Sequence, residues 1–118
     1  MKSDSSKIVV RQASLEELLS VHECIPEFGG KEELDFYSKR LENRVHLPLV
    51  AEIQDELAGF KVGYVSDNPN IFYSWMGGVV PKFRREGVAT ALAVYQESWA
   101  RNNGFEKIFF KTRNRLLQ

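Results

Sequence analysis

The stretch Val79-Val80-Pro81-Lys82-Phe83-Arg84-Arg85-Glu86-Gly87-Val88-Ala89-Thr90-Ala91-Leu92 most constrains what this chain can fold into. A β-branched run stops at a proline, which has no N–H for a continuing ladder. A basic turn containing one glycine follows, and then a run of helix formers. Strand, turn and helix N-terminus are therefore predicted in that order. The first-turn amides of such a helix lack intrahelical partners and the helix dipole is positive there, so the junction suits an anion such as a phosphate.

The helix after this turn is the strongest helical signal in the chain. Val88, Leu92, Tyr95 and Trp99 follow a 4-3-4 spacing, which predicts one buried stripe. Asn102-Asn103-Gly104 ends it, with Gly104 free to take a left-handed cap. Lys107 to Lys111 reads as a strand around Ile108-Phe109-Phe110. The unit from Val79 to Lys111 is long enough for a crossover joining two parallel strands.

The chain before the junction is ordered in the same way. Ile8 to Arg11 reads as a short strand. Ser14 and Glu17 form a capping box for a helix whose apolar face begins with Leu15, Leu18 and Leu19, and which ends near Cys24 or Ile25 because Pro26 follows. Glu27-Phe28-Gly29-Gly30 connects to a second helix expected over Lys31 to about Arg44. Pro48 stops that region. Strands are expected over Leu49–Gln54, Leu57–Ser66 and Ile71–Val80, with turns at Asp55-Glu56 and Asp67-Asn68-Pro69-Asn70. Ala58, Phe60, Val62 and Tyr64 form the more apolar face of the second of these. Gly59 and Gly63 lie opposite, where they permit close packing or a bulge. Gly77-Gly78 interrupts the third strand, where a bulge would aim it at a ligand.

At 118 residues the chain is expected to form one domain, residues 1–118. A single cysteine excludes an internal disulfide framework and a cysteine-rich zinc site. His22 and His46 lack metal-ligand spacing, so no metal is expected. Met1 to Ser6 is polar with no signal-like apolar region, and no run approaches the roughly 20 apolar residues of a membrane helix. A cytoplasmic protein with no membrane partner is the default. The net charge is zero but segregated: residues 1–80 carry 8 basic and 13 acidic side chains, residues 81–118 carry 8 and 3. That distribution fits an anionic ligand on the second part and a cationic substrate facing the first, or chance segregation over a mixed surface. A nucleic-acid partner would call for a positive overall balance.

The pattern Val79-x-Pro81-x-x-Arg84-Arg85-x-Gly87-x-Ala89 resembles the acetyl-coenzyme A signature of the GNAT acyltransferase superfamily. The core of that signature is a glutamine or arginine, two residues, a glycine, one residue, then glycine or alanine; Arg84, Gly87 and Ala89 match it. The preceding helix–helix–meander order is also similar, so the resemblance covers nearly the whole chain. It implies an α/β fold: a GNAT-like mixed sheet with an antiparallel meander and a parallel splayed strand pair, C-terminally truncated. The dinucleotide fingerprint Gly-x-Gly-x-x-Gly is not matched, and the Gly-Lys-Ser/Thr of a Walker A loop is absent.

The residues support the same ligand physically. Gly87 lets backbone approach a pyrophosphate without a Cβ in the way, and Ala89 is small. The amides from Arg85 to Thr90 can surround the anion, with Arg84 and Arg85 adding charge. The resemblance adds Val79 and Val80, whose backbone groups it implies bind the pantetheine arm, so that the cofactor set is Val79, Val80, Arg84, Arg85, Glu86, Gly87, Val88, Ala89 and Thr90, and it implies acetyl-coenzyme A as cosubstrate. The resemblance further implies that the N–H of Val80, or of its neighbour, polarises the thioester carbonyl. Each role has a plainer alternative: solvated turn charges for Arg84 and Arg85, turn geometry for Gly87, a helix-start hydroxyl for Thr90.

The chemistry implied is attack of a neutral amine, of a small molecule or a protein, on the thioester in a ternary complex. A base is useful there, and Glu52, a carboxylate in an otherwise apolar strand, is the leading candidate. Glu23 and Glu27 flank the loop between the first two helices, a region that shapes the acceptor site in the family; surface acids are the alternative. Tyr73 and Trp75 either bind the acceptor or pack the cleft wall. Cys24 ends an amphipathic helix and reads as a packed thiol rather than an acyl-enzyme nucleophile. Asn114 to Gln118 looks like the start of the family's next helix, which often supplies a tyrosine that protonates the leaving thiolate. Tyr37, Tyr64, Tyr73 and Tyr95 do not map onto that role. The uncovered edge Ile108-Phe109-Phe110 then predicts a homodimer. A noncatalytic coenzyme A-binding module, or an interaction domain that binds no cofactor, are the competing functions.

Overall fold

The computed structural model describes residues 7–28, 34–110 and 114–116. Among the described residues six strands form one sheet in chain order: β1 (Ile8–Gln12), β2 (His46–Ile53), β3 (Glu56–Val65), β4 (Ile71–Val79), β5 (Lys107–Phe110) and β6 (Asn114–Leu116). Neighbours are antiparallel except β4 and β5, which run parallel because α3 (Val88–Asn102) carries the chain back between them. The antiparallel meander and the parallel pair are as the sequence predicts. Helices α1 (Leu15–His22) and α2 (Leu34–Leu41) cover one face of the sheet and α3 the other.

Alternation along β2 sorts the two cores. Leu47, Leu49, Ala51 and Ile53 point to the α3 side, with Phe72, Val88, Leu92 and Ile108. Val50 points to the other side, with Leu18, Val21, Tyr37, Leu41, Phe60, Val62 and Tyr64. The capping box that starts α1 forms as expected: Glu17 N–H donates to Ser14 Oγ and Ser14 N–H to Glu17 Oε1.

Two bulges shape the meander. Ala51 pairs with Gly59 but Glu52 with Leu57, so Ala58 is an extra residue of β3. It turns into the α3 core, away from Phe60, Val62 and Tyr64, with which the sequence pattern grouped it. In β4, Met76 pairs with Val62 but Ser74 with Gly63, so the extra residue is Trp75. The bulge thus precedes Gly77-Gly78, which continue the strand.

Four departures from expectation bear on the sheet and its helices. β2 begins at His46 and runs through Pro48. The Pro48 carbonyl accepts the Ala13 N–H just beyond the end of β1, so its missing N–H faces away from β3 and costs that ladder nothing. α2 ends at Leu41, with Asn43 left-handed at φ 60°; residues 31–33 of the expected helix lie outside the described residues, as does Lys111 of the expected strand. The buried stripe of α3 is Val88, Leu92, Gln96 and Ala100, while Tyr95 and Trp99 are half-buried at its flank. The cause is the closeness of the helix to β3: a Cβ on Gly59 would lie 2.8 Å from Val88 Cγ1, and one on Gly63 3.0 Å from Gln96 Nε2. Finally, Asn114–Leu116 is a strand, not the start of a helix. It pairs antiparallel with β5 through Lys107, Ile108 and Phe109, so β5 is not the edge strand of the sheet, and Ile108 is fully buried. The edge argument for a homodimer therefore falls.

Candidate active site

The junction forms as the sequence predicts. Pro81–Phe83 make one 3-10 turn, with Phe83 N–H donating to Val80 O and Arg84 N–H to Pro81 O. Arg85 is left-handed at φ 69°, and Gly87 caps α3 in the same region at φ 93°. Among the described residues no side chain caps this helix, and no acidic residue lies in its first turn. The first ladder bond runs from Ala91 N–H to Gly87 O, so the amides of Val88, Ala89 and Thr90 are left for an outside acceptor. They open into a hollow of about 430 Å³ lined by Val79, Arg84, Arg85, Gly87 and the start of α3. Glu86 is exposed and does not line it.

A second hollow, of about 360 Å³, runs along β4. It exists because β5 pairs only with Ile71–Ser74, and among the described residues Trp75–Val79 have no strand partner on that side. Val79 and Ala89 line both hollows, which makes them neighbours along one path. The Val80 N–H donates to Ala58 O at 2.8 Å, so it points into the sheet and cannot meet a ligand. By strand alternation the amides that face the cleft are those of Gly77 and Val79. Of Val80 and its neighbour, the two amides expected at the thioester, only the neighbour's faces the cleft.

Arg84 is already engaged. Its Nη1 and Nη2 hold the two Glu27 oxygens at 2.8 and 2.9 Å, and its Nε donates to Val79 O at 3.1 Å. The guanidinium holds the Glu27 carboxyl down to about 2, and the carboxylate in turn raises Arg84. Glu27, expected at an acceptor surface, is instead tied to Arg84 of the turn before α3. Glu23 ends α1 with an exposed side chain.

Glu52 is not placed as a base. Arg11 Nε and Nη2 hold its Oε2 at 3.1 and 2.8 Å, and Arg11 also forks onto Glu17 at 3.1 and 2.8 Å. This cluster lies between β1, β2 and the start of α1, and Glu52 does not line the β4 cleft. The hydrogen bonds from Arg11 lower Glu17.

Tyr73 and Trp75 both face α1 and α2. Trp75 packs on Phe36, Tyr37 and Tyr64 at 5.6, 5.5 and 5.9 Å, with the Arg40 guanidinium 4.9 Å above its ring. Tyr73 sits 5.3 Å from Tyr64 and 5.9 Å from Phe109. His22 is buried, and its Nδ1 shares a hydrogen bond with Tyr37 Oη; it stacks on Phe28 at 4.5 Å. Cys24 is exposed rather than packed.

The family model for the acetyltransferase (GNAT) family matches residues 15–116. The chain belongs to the GNAT family. A search of curated proteins returned no match. Among solved structures, an aminoglycoside acetyltransferase from an uncultured soil metagenomic sample, in complex with sisomicin, superposes with a TM-score of 0.70 at 16% identity, over 88% of this chain and 76% of its own. A GNAT acetyltransferase from Brucella melitensis in complex with acetyl-CoA gives 0.70 at 16%, over 89% and 75%. The ribosomal-protein-S18-alanine N-acetyltransferase from Escherichia coli gives 0.72 at 13%, over 87% and 65%. At these identities the likeness shows the fold: a GNAT mixed sheet with one parallel pair, short of the full length of those chains.

Within this GNAT sheet, sequence reading missed two cleft-lining groups, Lys61 and Ser74. The signal for Lys61 was available: it lies midway between Gly59 and Gly63 on one strand face.

Proposed function

We propose that this protein transfers an acetyl group from acetyl-coenzyme A to an amine by direct attack in a ternary complex. The observation that carries this reading is the continuity of the open α3 N-terminus with the unpaired edge of β4, joined at Val79 and Ala89. The amides of Val88, Ala89 and Thr90 would take the pyrophosphate. The Gly77 and Val79 amides would hold the pantetheine arm and polarise the thioester carbonyl. An amine on the Trp75 side of β4 would then attack.

A noncatalytic coenzyme A-binding module is the second reading. It is favoured because no carboxylate or histidine among the described residues lines the β4 cleft. Calorimetric titration with acetyl-coenzyme A tests both: a folded sample that does not bind defeats them together. Thiol release across a panel of amines then separates them, since the binding module releases none.

A further inference from the structure

Lys61 lies on the α3 face of β3, paired across from Gly77 of β4. Because Gly77 has no side chain, the lysine stem runs beneath it: a Cβ there would lie 3.3 Å from Lys61 Cγ. The ammonium ends 5.7 Å from the centre of the Phe110 ring on β5. A side chain rooted in β3 thus crosses under β4 and delivers a cation into the gap between β4 and β5. Ser74, Gly77, Val79 and Phe110 line that gap with it.

Among the described residues Lys61 forms no direct ion pair. Burial pulls it below the ordinary lysine range, and the charge of Glu97 on α3 partly opposes this. From the other packed elements, β4 presents Gly77 and Ser74 and β5 presents Phe110, none of them charged. A cation kept in a partly dry cleft favours an anion that forms there, and an amine of lowered basicity gives up its proton more readily.

We propose that Lys61 is the catalytic group that meets the departing thiolate of coenzyme A. This rests on the acetyltransferase reading above, which lays the thioester along Gly77 and Val79. The amine nitrogen bonds to the carbonyl carbon, and the carbon–sulfur bond breaks with its electron pair going to sulfur. Lys61 Nζ donates a proton to that sulfur. The surplus proton on the new amide nitrogen leaves to solvent, and solvent recharges Lys61.

The test needs no acceptor. Free coenzyme A is titrated with pH on the wild-type protein and on Lys61→Met and Lys61→Arg, and the thiolate is read by its ultraviolet absorbance against unliganded protein. Calorimetry confirms occupancy in each case. On the wild type and on Lys61→Arg the bound thiol is expected to ionise about one pH unit or more below free coenzyme A. On Lys61→Met that shift disappears. An equal titration on wild type and Lys61→Met, both occupied, overturns the proposal and leaves the acetyltransferase reading standing. Failure of the wild type to bind coenzyme A removes that reading, and this one with it. Should Lys61→Met not fold, the wild-type titration decides: a bound thiol that ionises like the free one sinks the role.

Discussion

Arg84 grips Glu27 with both terminal nitrogens, at 2.8 and 2.9 Å, across 57 residues of sequence. The pair ties the turn before α3 to the short turn after α1. A guanidinium beside the hollow at the start of α3 is thereby partly neutralised by a neighbouring carboxylate. Replacing Glu27 by glutamine is expected to tighten acetyl-coenzyme A binding by about threefold, the scale of one exposed ion pair. Arg84→Ala should weaken it. Calorimetry at fixed salt measures both, and weaker binding by Glu27→Gln would show that Glu27 positions Arg84 rather than competing for it.

The same contact sets a pH window. Glu27 titrates at about 2 in the folded chain against an ordinary 4.5. A depressed carboxyl adds stability that is complete above the unfolded value and is lost as pH falls through the folded one. The pair's contribution should therefore fade between about pH 4.5 and 2 and be flat above. Carboxyl carbon NMR should place the Glu27 midpoint near the lower value, and Arg84→Met should return it toward the upper.

Gly63 is fixed by its neighbours. A Cβ there would lie 2.4 Å from Phe72 Cε2 and 2.6 Å from Tyr73 O. The backbone oxygen cannot swing aside, so Gly63→Ala should cost about 1–3 kcal/mol as overpacking. A shifted denaturant midpoint at unchanged slope would show it; an unchanged midpoint would mean that β4 yields.

At Gly87 the reason is conformation rather than space. The nearest atom to an added Cβ is Ile8 Cδ1 at 3.8 Å, yet φ is 93°. Gly87→Ala should cost about 1–2 kcal/mol of stability. Gly87→Val should in addition weaken acetyl-coenzyme A by crowding the ligand's approach. Chemical denaturation and calorimetry on the two variants separate these effects.

Glu52 offers a negative control. Its carboxylate is tied to Arg11 and stands off the cleft. Glu52→Gln should leave kcat within about twofold, while a general base would be worth ~100-fold or more.

Much of the fold was legible because it is local. The junction, the capping box and the order of the meander each depend on residues within a few positions of one another. What was hidden depends on contacts across the chain. Glu52 looks like an isolated acid in its own strand, and only β1 brings Arg11 to it. Pro48 looks like a terminator until its missing N–H is seen to face past the end of β1. Tyr95 and Trp99 have the right spacing to be buried, but Gly59 and Gly63 draw α3 in along another row. The direction of the Val80 amide turns on strand pairing, which no single segment records.

Trp75 is a surplus residue in the β4 ladder. It stands just where pairing with β5 ends, between Ser74 and Gly77. A deletion there would restore an even ladder to β3 while leaving the downstream partners Met76, Gly77 and Gly78 in register. The irregularity beside the cleft is in this sense a miscount of one, and a shorter strand would make a more regular ladder with β3.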